Sequence, residues 1–488
     1  MPMQKQLKKE VLFSGMRALV MGLGLHGGGV ATVKWLARHG AEVTATDMRT
    51  KEILAPSLHA LKGVKAKFVL GEHRKEDFSS HDLVIVNPAV PRESEFLAIA
   101  QKSGKRIEND ASLFFRYATN PTIAVTGTRG KTTTTLWIAE LMKKKYPDVR
   151  PSGNTPENAF LKEFERVAQK GIPVVAEMSS WQLEYLPVSG RAPHVAVITN
   201  LFPDHLNRYK GGMKDYARAK ANIFHDQHDG DFLVLNYENE WTKFFLSQKP
   251  KSLLFFFSKK VLPKKLNGLF VSNETLVFRF DDIEQKLFSV KKFIAARGVH
   301  NLENLLAAVL AIKLFDPTVV IKEQDVVKLP TPRMRQEVIF QKGKLTVVND
   351  SCATSPDGVE AAIKRFSQLG HPMSKLVLIT GGTDKELEFA ELAKVIKKYI
   401  PPEQLILLDG SATKKLLRAL VSKKYFKGKA IELHDTLASC VKEAKQIAQH
   451  MKGKTTILFS PGAASFEKFL HEFDRGEKFN AEVWKFFQ

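Results

Sequence analysis

Apolar and polar positions along this chain repeat a two-part pattern, a short β-branched run followed by a longer segment with apolar residues three and four apart. RALVMG leads to GVATVKWLARHG, TIAVTG to KTTTTLWIAELMKK, and KLVLITGG to AELAKVIKKYI. The short runs predict buried parallel strands and the longer segments amphipathic helices, so the recurring unit is βαβ. No internal repeat or low-complexity stretch interrupts it. Proline breaks at Asn120-Pro121 and at LPTPR, Leu329 to Arg333, divide the chain into α/β domains at 1–118, 119–330 and 331–488.

Composition agrees with that division, since 488 residues at roughly 150 per domain give about three. With 44% hydrophobic and 26% charged residues the chain is globular, which excludes long disorder and collagen-like repeats. The longest apolar runs, such as LVLIT and LLFFF, fall short of the ~20 residues that span a bilayer, so no membrane insertion is expected. MPMQKQLKKEVLF lacks the apolar core of a signal peptide. Cys352 and Cys440 stand far apart without metal-ligand spacing, which predicts a reducing, cytoplasmic setting with neither disulfide nor zinc. A net charge of +22 invites nucleic acid, but the basic residues are dispersed in short clusters such as Lys143 to Lys145. No nucleic-acid partner is expected from that pattern.

Two glycine-rich turns carry candidate chemistry. After the strand-like Ala18 to Met21, GLGLHG sets Gly22, Gly24 and Gly27 in GxGxxG spacing before an apolar-periodic helix, and Asp47 ends a second strand 20 residues beyond Gly27. Such glycines let backbone approach a pyrophosphate, and the acid reaches a sugar or base. NAD, another diphosphate-bearing nucleotide and a ligand-free turn all satisfy this motif. In the second turn, Thr122 to Val125 runs into TGTRGKTTTT, where Gly127, Gly130, Lys131 and Thr132 open a helix. Its backbone N–H groups form an anion nest, Lys131 reaches β- and γ-phosphates, and Thr132 offers a hydroxyl to Mg²⁺. Val125 stands where the full P-loop pattern has glycine. Two such turns argue for two nucleotide-bearing ligands. Metal-binding carboxylates belong at neighbouring strand ends, where Glu177 (VVAE) and Asp204-His205 (after VAVITNLFP) stand.

TGTRGKT, EMSSWQLE, TNLFPDHLNRY, YARAKANIF, GVHNLENLLAA, PRMRQEV and NDSCATSPDG occur in the order and at about the separations seen in Mur ligases, the ATP-dependent amide ligases of peptidoglycan precursor synthesis. The resemblance runs from about Leu19 to Phe479. GLGLHG with TDMR, NDSCATS and SPGAASFEKFLHEFDRGEKF make the chain most similar to the D-glutamate-adding branch. The resemblance implies a Rossmann-like N-terminal domain, a central P-loop ATPase domain with a mainly parallel sheet, and a C-terminal Rossmann-like α/β domain. It also implies that ATP phosphorylates the carboxylate of UDP-N-acetylmuramoyl-L-alanine and that the amine of glutamate displaces the phosphate.

Site residues follow from the resemblance by position. Lys131, Glu177, His205 and Lys220 form the catalytic set, and Thr132, Glu177, His205 and Lys220 hold two Mg²⁺ ions, with Lys220 carbamylated so that an ammonium becomes an anionic oxygen ligand. ATP meets Gly127, Thr128, Arg129, Gly130, Lys131, Thr132 and Thr133, with Asn301 and Asn304 at the adenine and Arg335 and Asp350 about the ribose and phosphates. The UDP-sugar takes Gly24, Leu25, His26 and Gly27 at its diphosphate, Asp47 and Arg49 at uracil, and Asn154, Gln182 and Arg208 at the muramoyl-alanine end. Glutamate takes Thr354, Lys385, Ser465 and Phe473, the last through backbone. The expected partners are these small molecules alone, bound by a monomer.

The chain departs from the family pattern at several places. Arg129 replaces the usual P-loop asparagine, Cys352 the lysine of D-S-K-A-T, His26 and Met48 common threonines, and Phe473 is displaced by one place. Cys352 and Phe473 touch the acceptor side, so the same chemistry with L-glutamate stays open. A nicotinamide-dependent oxidoreductase would use GLGLHG and Asp47 but has no use for the P-loop.

Overall fold

Strand-and-helix alternation builds three sheets in the computed structural model, which describes residues 12–153, 158–204, 206, 208–368, 375–426 and 432–488. The first sheet contains β1 (Arg17–Met21), β2 (Glu42–Asp47), β3 (Ala66–Leu70), β4 (Leu83–Val86) and β5 (Arg106–Glu108). All pair in parallel in the order β3-β2-β1-β4-β5. The order reverses between β1 and β4, and a crevice opens there at the carboxyl ends of the strands.

The central sheet has nine strands: β6 (Thr122–Thr126), β7 (Pro151–Gly153), β8 (Val174–Glu177), β9 (Val195–Ile198), β10 (Phe232–Asn236), β11 (Leu253–Ser258), β12 (Gly268–Ser272), β13 (Thr275–Phe280) and β14 (Ile283–Ser289). Their order is β14-β13-β12-β11-β10-β9-β6-β8-β7, parallel from β7 to β12 and antiparallel in the last two pairs. The third sheet holds β15 (Glu337–Lys342), β16 (Leu345–Asn349), β17 (Lys375–Thr380), β18 (Leu405–Leu408), β19 (Leu433–His434) and β20 (Thr455–Phe459), ordered β15-β16-β20-β17-β18-β19. Only its β15–β16 pair is antiparallel. The chain thus has the expected three-domain α/β architecture.

Two compact units divide between Leu329 and Pro330, the first holding two sheets and the second one. Packing explains why the first two sheets share a unit. Trp35, from helix Gly28–Arg38, meets Phe164 of helix Phe160–Lys170 at 5.1 Å between ring centroids, and Phe114 meets Phe160 at 5.0 Å. These rings belong to one continuous core, and burying each contributes roughly 1.5–3 kcal/mol. On the other face of the central sheet lies helix Leu302–Phe315, whose residues from Leu305 to Ile312 are all buried. A helix apolar all round belongs in an interior. Among the described residues no single helix is long and apolar enough to cross a membrane.

The turn after β1 depends on one close approach. A Cβ on Gly29 would lie 2.2 Å from the Leu23 carbonyl oxygen, whereas one on Gly28 meets nothing within 4 Å. Gly29→Ala is therefore expected to cost roughly 1–3 kcal/mol, and Gly28→Ala to be neutral or stabilising by up to about 1 kcal/mol. Thermal midpoints of the two variants test this, and equal midpoints would refute the close-packing role.

Candidate active site

At the first sheet's crevice the turn from Gly22 to Gly27 takes left-handed backbone at Gly22, Gly24 and Gly27, with φ of 87°, 63° and 79°. Asp47, buried at the end of β2, accepts from the Gly24 N–H at 2.9 Å and the Arg49 N–H at 3.0 Å, so its carboxylate ties the glycine turn to the next loop. Leu25 is partly and His26 and Arg49 are fully exposed along this rim. Asn87, which the motifs did not nominate, ends the neighbouring β4 and donates to the Gly22 carbonyl at 3.0 Å. The strand-like LVIV closing on Asn-Pro was the available signal.

The central sheet presents its phosphate-loop candidate at the carboxyl end of β6, between β8 and β9. Gly127 and Gly130 have φ of 148° and 82°. A Cβ on Gly127 would lie 1.9 Å from Thr199 Oγ1, and one on Gly130 2.1 Å from Asn304 Oδ1. Thr199 and Asn200, just past β9, secure the loop: Asn200 Oδ1 accepts from the Arg129 N–H at 2.9 Å, and Thr199 Oγ1 donates to the Arg129 carbonyl at 2.6 Å. Lys131 opens helix Lys131–Met142, and its Nζ donates to the Gly127 and Thr128 carbonyls at 3.0 and 3.2 Å. Thr132 and Thr133 follow, partly exposed.

Lys220, from helix Met213–Ala221, reaches the same place from below. It is 1% exposed, its Nζ donates to the Gly127 carbonyl at 3.0 Å, and it lies over the Tyr216 ring at 4.7 Å. Burial foremost, then the charges of Lys131 and Arg129, hold its ammonium well below the usual lysine range, with Asp204 opposing them. Glu177 is buried at the end of β8, in register with Val125 of β6. Asp204 is buried after β9, with Arg129 Nη1 at 3.0 Å from its Oδ2.

Asn304 stands against Gly130 and donates to Asn301 Oδ1 at 3.1 Å, so the nominated adenine pair is contiguous with the loop. Arg208 lies over Trp181 at 4.6 Å, pairs with Glu184 at 3.2 Å and donates to the Val90 carbonyl of the first domain. Gln182 has both ends of its amide engaged within the protein. It is buried, its Oε1 accepts from the Ser179 N–H in a capping box, and its Nε2 faces Asp110, whose carboxyl burial raises to about 6. His205 and Asn154 lie outside the described residues.

In the second unit the nominated residues sit on loops at the carboxyl ends of three adjacent strands, β16, β20 and β17. Thr354 follows β16, Lys385 follows β17, Ser465 follows β20, and Phe473 begins helix Glu472–Phe487. Ser465 is buried, and its Oγ has no hydrogen-bond partner among the described residues. Arg475, fully buried, joins these loops. Its Nε donates to Ser351 Oγ, its Nη2 to the Ser351 carbonyl at 2.7 Å, and its Nη1 to the Ala463 and Ala464 carbonyls at 3.0 and 2.9 Å. An arginine inside an amphipathic helix pattern carries no signal of this in sequence. Cys352, standing for the family's lysine, is buried with its thiol pushed up to about 12, so it stays neutral there.

Asp350 ends the β16 edge, accepting from Ser460 Oγ at 2.7 Å and the Gln336 N–H at 3.0 Å, while Arg335 beside it is exposed. Burial raises its carboxyl from 3.8 to about 7. The folded protein then keeps a proton that the unfolded chain releases, so the stability this group confers is lost as pH rises through that window. Denaturant unfolding between pH 4 and 7.5 is expected to show a smaller pH-dependent loss in Asp350→Asn than in the parent; parallel profiles would contradict the assignment.

Comparisons with known proteins agree over the whole chain. Residues 16–108 match the family described as Mur ligase MurD-like, N-terminal domain, residues 125–312 the Mur ligase middle domain, and residues 334–462 the Mur ligase, glutamate ligase domain. A Roseiflexus protein named UDP-N-acetylmuramoylalanine--D-glutamate ligase is 37% identical over 97% of this chain and 99% of its own. A protein of the same name from Borreliella afzelii is 34% identical over 95% and 97%. In fold, the chain is similar to MurF from Acinetobacter baumannii, with a TM-score of 0.56 at 15% identity over 97% of this chain and 91% of that one. With its three domains each matched in order and relatives aligned from end to end, the chain belongs to the Mur ligase family.

Proposed function

We infer that this chain joins D-glutamate to UDP-N-acetylmuramoyl-L-alanine at the expense of ATP; its relatives aligned over nearly their whole length are named as UDP-N-acetylmuramoylalanine--D-glutamate ligases. The observation that carries the chemistry is the convergence of Lys131 and the buried Lys220 on the Gly127 carbonyl beside Glu177's strand end. A carboxylate is a poor electrophile. Transfer of the γ-phosphoryl group to it creates an acyl phosphate with a good leaving group, the glutamate amine attacks the acyl carbon, and phosphate departs. Lys131 would offset charge on the transferring group, and the nest between Gly127 and Thr133 would orient it. Neither step uses a nicotinamide.

Residues 1–118 would take the UDP-sugar, 119–330 ATP, and 331–488 glutamate. In the last, the unpartnered Ser465 hydroxyl and the partly exposed Thr354 and Lys385 suit a dicarboxylate. The donors near the phosphate loop fit Mg²⁺: Thr132 supplies a hydroxyl and Glu177 a carboxylate, both oxygen ligands suited to a hard cation. Among the described residues no three His, Cys, Asp or Glu side chains could hold a metal by themselves. When bound, Mg²⁺ supplies positive charge to the phosphates.

Lys220 is suited to carbamylation. Its depressed basicity leaves a neutral amine whose lone pair can attack carbon dioxide, forming an N–C bond and releasing one proton. The anion formed would relieve the cation crowding about Gly127. We take the ligase to act as a monomer, and the two free cysteines fit a reducing compartment such as the cytoplasm.

Incubation with UDP-N-acetylmuramoyl-L-alanine, ATP and either glutamate enantiomer should give amide product, ADP and phosphate with D-glutamate; product with L-glutamate alone would reverse the acceptor assignment. Lys131→Ala should lower turnover on the order of 10²–10³-fold with UDP-sugar binding retained, and unchanged turnover would remove the P-loop assignment. Lys220→Ala should lose a similar factor and regain part of it with added acetate or formate. Full activity without the additive would reject the carbamate.

A further inference from the structure

Arg129, which the family resemblance sets against ATP, brings a charge to a loop position where the family usually has asparagine. Its backbone cannot shift independently of the loop, because its N–H and carbonyl are both bonded to the end of β9 through Asn200 and Thr199. The side chain is differently placed. Its Nη1 is 3.0 Å from Asp204 Oδ2, and the arginine end of the pair is 30% exposed against 7% for the aspartate. The carboxylate is thus anchored, while the guanidinium lies at the open side. An incoming anion can therefore reach the guanidinium from its partly exposed side while the carboxylate stays buried.

Three basic side chains meet here. The charges of both Arg129 and Lys131 are felt at Lys220, and Asp204 acts against them there. Like charges gathered where solvent is partly excluded repel strongly. A polyphosphate entering the loop reverses that balance, and a guanidinium fork matches phosphate oxygens better than any other side chain does.

We propose that Arg129 is a phosphate-binding residue held in check by Asp204, exchanging that carboxylate for a phosphate oxygen when a nucleotide enters the loop. This rests on the ATP-dependent reading above. Asp204 then acts as a competitor of the nucleotide for one guanidinium, so removing its charge strengthens binding wherever Arg129 is present.

The test is ADP binding by calorimetry to the full chain in EDTA, which separates this exchange from metal binding and from turnover. Arg129→Gln should weaken binding roughly ten- to a hundredfold. Asp204→Asn should tighten it roughly three- to tenfold, and the double variant should bind as Arg129→Gln does. A purely structural ion pair would instead lower the thermal midpoint of both single variants and leave ADP affinity alike. Arg129→Gln binding within about twofold of the parent, or tightening by Asp204→Asn that survives in the double variant, would overturn the proposal. If the parent itself binds no ADP, the ATP-dependent reading falls with it; if the parent binds and Arg129→Gln is indifferent, only this inference falls.

Discussion

Two lysine side chains donate to one backbone oxygen, the Gly127 carbonyl, each from 3.0 Å. That crowding constrains everything around it. The loop must carry glycine at 127 because Thr199 Oγ1 fills the space of a side chain. Lys220 reaches the carbonyl from helix Met213–Ala221, with the Tyr216 ring face against its amine. Its ammonium is disfavoured there, since burial and neighbouring charge act in the same direction. A site assembled in this way is balanced only when anions occupy it, which is the electrostatic requirement of phosphoryl transfer.

In each domain the parallel sheet delivers loops to one edge, and a buried polar group then holds those loops together. Asp47 links the glycine turn to the Arg49 loop, Asn200 and Thr199 secure the phosphate loop, and Arg475 bridges the Ser351 and Ala463–Ala464 loops. Burying such groups is costly unless their hydrogen bonds are made. Here the bonds are to backbone, so each group's requirement and the loops' unpaired N–H or carbonyl groups are met together. The departures from the family pattern fall among these supports. Arg129 adds a charge that Asp204 balances, and Cys352 adds none, its thiol staying protonated.

The net charge of +22 has little to do with these sites. Lys131, Lys220 and Arg129 account for the cation cluster at the phosphate loop, whereas many other basic groups pair at the surface, as Lys144 does with Asp325 and Lys394 with Glu391. Such pairs contribute about 0–1 kcal/mol each.

Sequence alone determined the βαβ repeat, the mostly parallel sheets and both glycine turns, because strand period, helix period and left-handed glycines are local properties of the chain. It also put Glu177 at the end of one strand and Asp204 in the loop after another, since apolar runs followed by a carboxylate are visible as such. Three things were decided only by the tertiary structure. Lys220 reads as an ordinary polar helix residue and becomes a buried amine because its helix brings it to the Gly127 carbonyl at the carboxyl end of β6. Gln182, which the family resemblance alone nominates for the UDP-sugar, spends both ends of its amide on the Ser179 cap and Asp110. Arg475 reads as one more charge in an amphipathic helix and is fully buried among three carbonyls. In each case the side chain's partner is distant in sequence or its burial is set by a neighbouring element, and spacing along one segment holds no information about either.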